Sequence, residues 1–127
     1  MAPGGEGAGF RLPRQARITG SDEIRALFRR GKRSKTRHLD AFVSPSPAAF
    51  PRLGLVVPRH RRRIVARNLL KRRLRDLGRS VLLPGLRNRE LALDVLLRAR
   101  PEAYTASFAE LRDEAIALTE ELCSRAR

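Results

Sequence analysis

Between Pro58 and Arg75 the chain reads Pro-Arg-His-Arg-Arg-Arg-Ile-Val-Ala-Arg-Asn-Leu-Leu-Lys-Arg-Arg-Leu-Arg, and its cations are spaced as on a helix. Arg67, Lys71 and Arg75 recur every four residues, with Asn68 and Arg72 on the adjoining row, so these five polar groups face the same way. Arg59, Arg61 and Arg63 extend the basic run ahead of the helix. Arginine carries a rigid fork of donors suited to phosphates and base edges. A merely solvated helix face alternates its signs; here Asp76 is the one acid in the run, and the remaining cations repel one another until an anion neutralises them. The chemistry this pattern fits is nucleic-acid binding, chiefly through phosphates.

The charge of the whole chain has the same sense. Among 127 residues, Lys and Arg number 28 and Asp and Glu 13, a formal charge of +15. Residues 11 to 89 carry a balance of +19 and residues 90 to 127 one of −3, so the polyanion meets the first two thirds and the last third is scaffold.

Residues for other chemistries are missing. The acids of the basic two thirds are Asp22, Glu23, Asp40 and Asp76, of which the first two suit a helix start and the last sits among arginines. His38 and His60 have no neighbouring carboxylate or nucleophile in the sequence and read as surface or phosphate-contacting groups rather than a dyad. One cysteine, Cys123, cannot close an intramolecular disulfide or, with two histidines, a spaced zinc site, so it reads as a small packing residue in a reducing compartment. No Walker loop, dinucleotide fingerprint or RNP signature occurs. DNA is not expected either, for lack of a helix-turn-helix pairing or a dimer seam. No stretch reaches the ~18 apolar residues of a membrane span, and Met1 to Gly9 lacks an apolar core, so the expected location is cytoplasmic with no membrane partner.

The elements that position these residues are readable from periodicity. Residues 1–10, rich in Gly and Pro, read as a flexible tail, and 11–127 as one domain. Ser21 is the expected N-cap of a helix over 21–30 whose inner face carries Ile24, Leu27 and Phe28, with Gly31 as its stop. A strand over 36–44 ends at Ser44-Pro45-Ser46-Pro47, and a second over 52–57 is expected antiparallel to it, the two forming a hairpin with a loose loop. The basic helix spans 63–77 with Ala66, Leu70, Leu74 and Leu77 as its apolar stripe, and Arg73 snorkels from within that arc. Residues 91–99 read as a buried strand. The last helix opens on a capping box, Ser107 to Glu110, and turns Phe108, Leu111, Ala115, Leu118 and Leu122 toward the core. The expected class is α+β, a single small sheet of three to four strands packed with three helices.

The stretch Arg67-Asn68-x-x-Lys71-Arg72-x-x-Arg75, following a strand and a basic loop, resembles the signature helix of the bacterial ribonuclease P protein component. The resemblance runs from about residue 11 to 122, through Leu12-Pro13, Ile24-Arg25-Ala26-Leu27-Phe28-Arg29-Arg30-Gly31, Arg52-Leu53-Gly54-Leu55-Val56-Val57 and Asp94 to Pro101. It departs at Leu69, where arginine is usual, at Pro58-Arg59-His60-Arg61, which replaces a Ser-Lys-Lys with Gly, and at Arg63 in place of an Asn. What the resemblance implies is a left-handed βαβ crossover, against the usual right-handed rule, and a protein that binds the catalytic RNA and the 5′ leader of precursor tRNA. The RNA subunit would do the hydrolysis with Mg2+, none of it held by the protein alone. Ile24, Phe28 and Phe42 would line the leader cleft, where aromatic faces stack on unpaired bases; by composition alone they read more often as core. The alternative is a ribosomal or ribosome-assembly protein binding structured RNA through the same helix.

Overall fold

The computed structural model describes residues 13–125; the tail expected over residues 1–10 lies outside them. Four strands, β1 (Lys32–Lys35), β2 (Leu39–Pro45), β3 (Arg52–Val56) and β4 (Leu93–Ala99), form one sheet in the order β1-β2-β4-β3. Helix α1 (Ser21–Arg30) precedes the sheet, and α2 (Ile64–Leu77) leads through a π-helical turn, Gly78–Leu82, into α3 (Leu83–Asn88). Helix α4 (Phe108–Arg125) closes the chain, so the class is α+β as its sequence pattern requires.

The strand pairing corrects the expected hairpin. β2 and β3 do not touch; β4 lies between them, antiparallel to β2 and parallel to β3, with α2 and α3 in the crossover. The physical reason is the run Val95-Leu96-Leu97, all buried, which only a central strand covers on both faces. β1 was hidden from pattern analysis because Lys-Arg-Ser-Lys carries no apolar residue; its cations blunt an exposed edge.

Alternation then gives the sheet two unlike faces. Leu39, Ala41, Val43, Leu53, Val95, Leu97 and Ala99 lie under α2, α3 and α4, packed on Leu74, Leu77, Leu82, Leu86, Leu111 and Leu118. α2 comes down so closely at Gly78 that a Cβ there would stand 2.1 Å from Leu53 Cδ2. The other face carries Phe42, Leu96 and Val56 and is roofed only in part by α1, through Leu27, Ile24 and Phe28. Gly31 lets α1 end against β2, since a Cβ would lie 2.5 Å from the Leu27 carbonyl and 3.2 Å from Phe42 Cβ.

Three local expectations change. Ser21 is already helical and Gly20 is the N-cap, with no side-chain cap; Asp22 and Glu23 in the first turn answer the dipole instead. Phe108 is 37% exposed rather than core, because the capping box holds it on the outer first turn while Leu111, Ala115, Leu118 and Leu122 turn inward. His38 is buried, not at the surface, and its ring Nδ1 meets Glu114 of α4.

Glu114 also accepts hydrogen bonds from Thr36 Oγ1 at 2.5 Å and from the His38 N–H at 2.9 Å. Burial pushes its carboxyl up, but these donors outweigh burial and hold it below the usual carboxylate range. A depressed carboxylate contributes stability above its unfolded pKa and loses it as pH falls through the folded one. Glu114→Gln is therefore expected to cost about 2 kcal/mol at neutral pH, and the gap to wild type should narrow below about pH 4. Urea denaturation at both pH values measures it; a gap that does not change with pH would mean that shape, not charge, ties α4 to the β1–β2 turn.

Candidate nucleic-acid interface

Leu70, Leu74 and Leu77, all buried, set the rotation of α2. Asn68 and Arg72 consequently stand exposed on the crest, while Arg67, Lys71 and Arg75 are half-buried on the flank toward α1. Arg67 is anchored as well as charged, because its Nε donates to the Val57 carbonyl at 2.9 Å, joining α2 to the strand before it. Burial, reinforced by repulsion from Arg67 and Arg75, pushes the Lys71 amine below its ordinary range. Asp76, the nearby acid, is taken by Arg79. Among the described residues no ion pair reaches Arg67, Lys71, Arg72 or Arg75, so this row of cations is left for an outside anion.

Arg59, Arg61 and Arg63 lie exposed ahead of the helix, on a turn that sequence analysis did not foresee. The Arg62 N–H donates to the Arg59 carbonyl at 2.8 Å, and the two residues between, His60 and Arg61, have φ of 48° and 67°. Left-handed backbone in non-glycine residues is costly and needs support. Tyr104, on the short helical turn Pro101–Thr105, supplies it. Its hydroxyl donates to the Pro58 carbonyl at 2.6 Å, the Arg62 guanidinium lies 5.2 Å over its ring, and the His60 ring meets it edge-on at 6.2 Å. Tyr104→Phe is expected to destabilise the fold by about 1 kcal/mol and to weaken RNA binding although no cation is lost. Thermal melts with RNA titrations check this; unchanged affinity would leave Tyr104 a purely structural residue.

The partly roofed sheet face adjoins this helix. Ile24 of α1 lines a groove of about 260 Å³ with Ile18, Leu55, Lys71 and Arg75, so α1 and α2 form its two walls. Phe28 and Phe42 lie on the same sheet face, packed on each other edge to face at 4.9 Å and 76°. The Arg98 guanidinium rests 5.4 Å from one ring and 5.5 Å from the other. Beneath it, buried Asp40 accepts hydrogen bonds from Arg98 at 3.1 Å and Arg33 at 3.2 Å, with Arg100 at 3.8 Å. Burial raises the Asp40 pKa, but Arg98 and Arg33 outweigh it and hold the carboxyl low. Arg33, Arg98 and Arg100 were missed from sequence, although period-two alternation along Asp94, Leu96 and Arg98 was a usable signal.

The sequence pattern of the family described as Ribonuclease P matches residues 12–123. The chain belongs to the ribonuclease P protein family. The ribonuclease P protein component of Acidothermus cellulolyticus is 35% identical over 107 residues, covering 81% of this chain and 84% of that protein. That of Micrococcus luteus is 36% identical over 115 residues, 83% of this chain and 86% of its own. The ribonuclease P protein of Thermotoga maritima matches with a TM-score of 0.68 at 21% identity, over 83% of this chain and 96% of that one. The Staphylococcus aureus protein matches at 0.65 and 18%, over 84% and 94%. At those identities the structural likeness concerns the fold, while the family pattern and the sequence relatives displace the ribosomal-protein alternative.

Helix α2 has a second flank. Leu69 is 40% exposed and turned away from α1. There it lines a groove of about 420 Å³ with Phe108, Arg72, Arg73, Asp76 and Arg79. Arg75 reaches both grooves, so α2 is a ridge between them.

Proposed function

We propose that this chain acts in the cytoplasm as the protein component of ribonuclease P, binding the catalytic RNA and the 5′ leader of precursor tRNA so that the RNA frees the mature 5′ end. The observation that carries it is the juxtaposition of an unneutralised cationic helix with an open, aromatic and arginine-bearing sheet face. Arg59, Arg61, Arg63, Asn68 and Arg72, turned outward, take RNA phosphates and base edges. Lys71 and Arg75, walling the groove with Ile24, hold the leader backbone, and Phe28 and Arg98 offer it planar surfaces, backed by the buried Phe42 ring. Arg67 keeps the helix in place against β3.

Hydrolysis would fall to the RNA rather than to this chain. Among the described residues no three His, Cys, Asp or Glu side chains gather as metal ligands, and the charged groups lining the groove, Arg17, Lys71 and Arg75, repel a cation. Mg2+ does not fit these residues; the RNA would hold the ions that activate water, and the arginines here would neutralise its phosphates. Precursor tRNA and the ribonuclease P RNA are the partners, and no DNA or membrane is required; among the described residues no helix is long and apolar enough to cross a membrane.

The test is reconstitution with the ribonuclease P RNA from the same genome. Addition of the protein is expected to accelerate precursor cleavage at limiting magnesium, and log affinity for the RNA should fall steeply with log salt, by about 0.7 to 0.9 per phosphate neutralised. Arg72→Ala should weaken binding by ~1–3 kcal/mol. A flat salt dependence, or stimulation indifferent to Arg72, would overturn the proposal.

A further inference from the structure

The groove on the far flank of α2 is not needed to bind a leader on the sheet face, yet its chemistry is that of a ligand site. Its apolar part is Leu69 and Phe108, 40% and 37% exposed, brought together from α2 and from the first turn of α4. Large apolar side chains left in water at a concave surface mark a binding site more often than an accident. Phe108 is held there by local structure: the Ser107 hydroxyl accepts the Glu110 N–H at 3.0 Å and the Glu110 carboxylate accepts the Ser107 N–H at 2.8 Å. Val65, one helical turn before Leu69 and 73% exposed, extends the apolar strip along the ridge.

The rim decides what kind of partner fits. Arg72, Arg73, Arg75 and Arg79 line the groove against a single acid, Asp76, which Arg79 already engages. A second copy of this chain, itself at +15, is repelled from such a rim, and a neutral apolar peptide leaves the arginines unanswered. An anion carrying a flat apolar face satisfies both halves. The volume, about 420 Å³, falls within the ~300–1,000 Å³ usual for small-molecule sites.

We propose that this groove captures one unpaired nucleotide of the bound RNA, its base against the Phe108 ring and Leu69 and its phosphate on Arg72 or Arg73. This rests on RNA binding by α2 and adds to it a subsite that reads an unstacked base, distinct from the sheet face. It also gives the exposed Leu69 a purpose, as the apolar contact for the base.

The experiment uses the full chain and two probes of equal charge, hexauridylate and the same hexamer with its bases removed, with the ribonuclease P RNA as a third. Wild type is expected to prefer the base-bearing hexamer by roughly tenfold, within the range of aromatic stacking. Phe108→Ala should cut the preference to what the sheet face supplies while leaving the salt slope unchanged, Phe108→Trp should restore it, and Phe108→Ala combined with Phe28→Ala should abolish it. Because Phe108 is exposed, its melting temperature should not move; Leu69→Ser gives a second, independent loss. Equal affinity of wild type for the two hexamers overturns the proposal. So does a preference that survives Phe108→Ala undiminished but disappears in Phe28→Ala, which would assign it to the sheet face, or a Phe108-dependent dimer in sedimentation. Failure of the wild type to bind ribonuclease P RNA would instead strike the underlying function.

Discussion

Arg52→Met is expected to destabilise the protein by about 3–5 kcal/mol, because it strips a buried carboxylate of its partner. Arg52 on β3 pairs in register with Asp94 on β4, Nε to Oδ1 at 2.8 Å and a terminal nitrogen to Oδ2 at 2.7 Å. The same guanidinium reaches Glu23 of α1 at 2.9 Å. The side chains of Arg52 and Asp94 are 13% and 9% exposed, so the charge left on Asp94 has little water to turn to. These bonds also hold the Arg52 guanidinium's pKa above its ordinary value, foremost the one from Asp94. The double variant Arg52→Met, Asp94→Leu should recover much of the loss, since apolar replacement of both partners removes the stranded charge. Urea denaturation of the four proteins in the cycle measures it. A single variant within about 1 kcal/mol of wild type would mean that Asp94 is solvated after all. Function should follow stability: α1 is tied to the sheet through Glu23 and Arg52, so leader binding should weaken more than binding to the RNA subunit.

Phe28→Ala should cost ~1–3 kcal/mol of affinity for precursor tRNA, the worth of one aromatic stacking surface, and nothing for mature tRNA, which has no leader. Phe28 is half-buried, and its ring props both Phe42 and the Arg98 guanidinium. Removing it both deletes a surface and frees the cation beside it. The measurement is the affinity of the reconstituted holoenzyme for the two tRNAs, with the melting temperature of the isolated variant as control. Equal losses on both substrates, or a large drop in melting temperature with no leader-specific part, would make Phe28 an ordinary core residue.

Features that depend on near neighbours in the chain were legible. The α2 span over Ile64–Leu77, its apolar stripe and its cationic row follow from i, i+4 spacing, which a helix converts directly into a shared face. The capping box at Ser107 and Glu110 is likewise a three-residue relation and forms as expected. Where the same local rules compete, they misled: Ser21 looked like a cap, yet Gly20 takes that place, and Phe108 shares the spacing of the core stripe but faces solvent.

By itself, then, the sequence determined a basic helix for a polyanion and the α+β class, because each is a matter of residue type and short-range period. Tertiary structure decided the rest. β4 enters between β2 and β3 since only the central position buries both sides of Val95-Leu96-Leu97. Tyr104 reaches the Pro58 carbonyl across 46 residues to hold the basic turn, and His38 finds Glu114 across 76. Arg98 comes to rest against Phe28 and Phe42, and Leu69 and Phe108 come to line one groove. No local period encodes such pairs: which distant side chains meet is set by the free energy of packing the whole sheet and its helices at once.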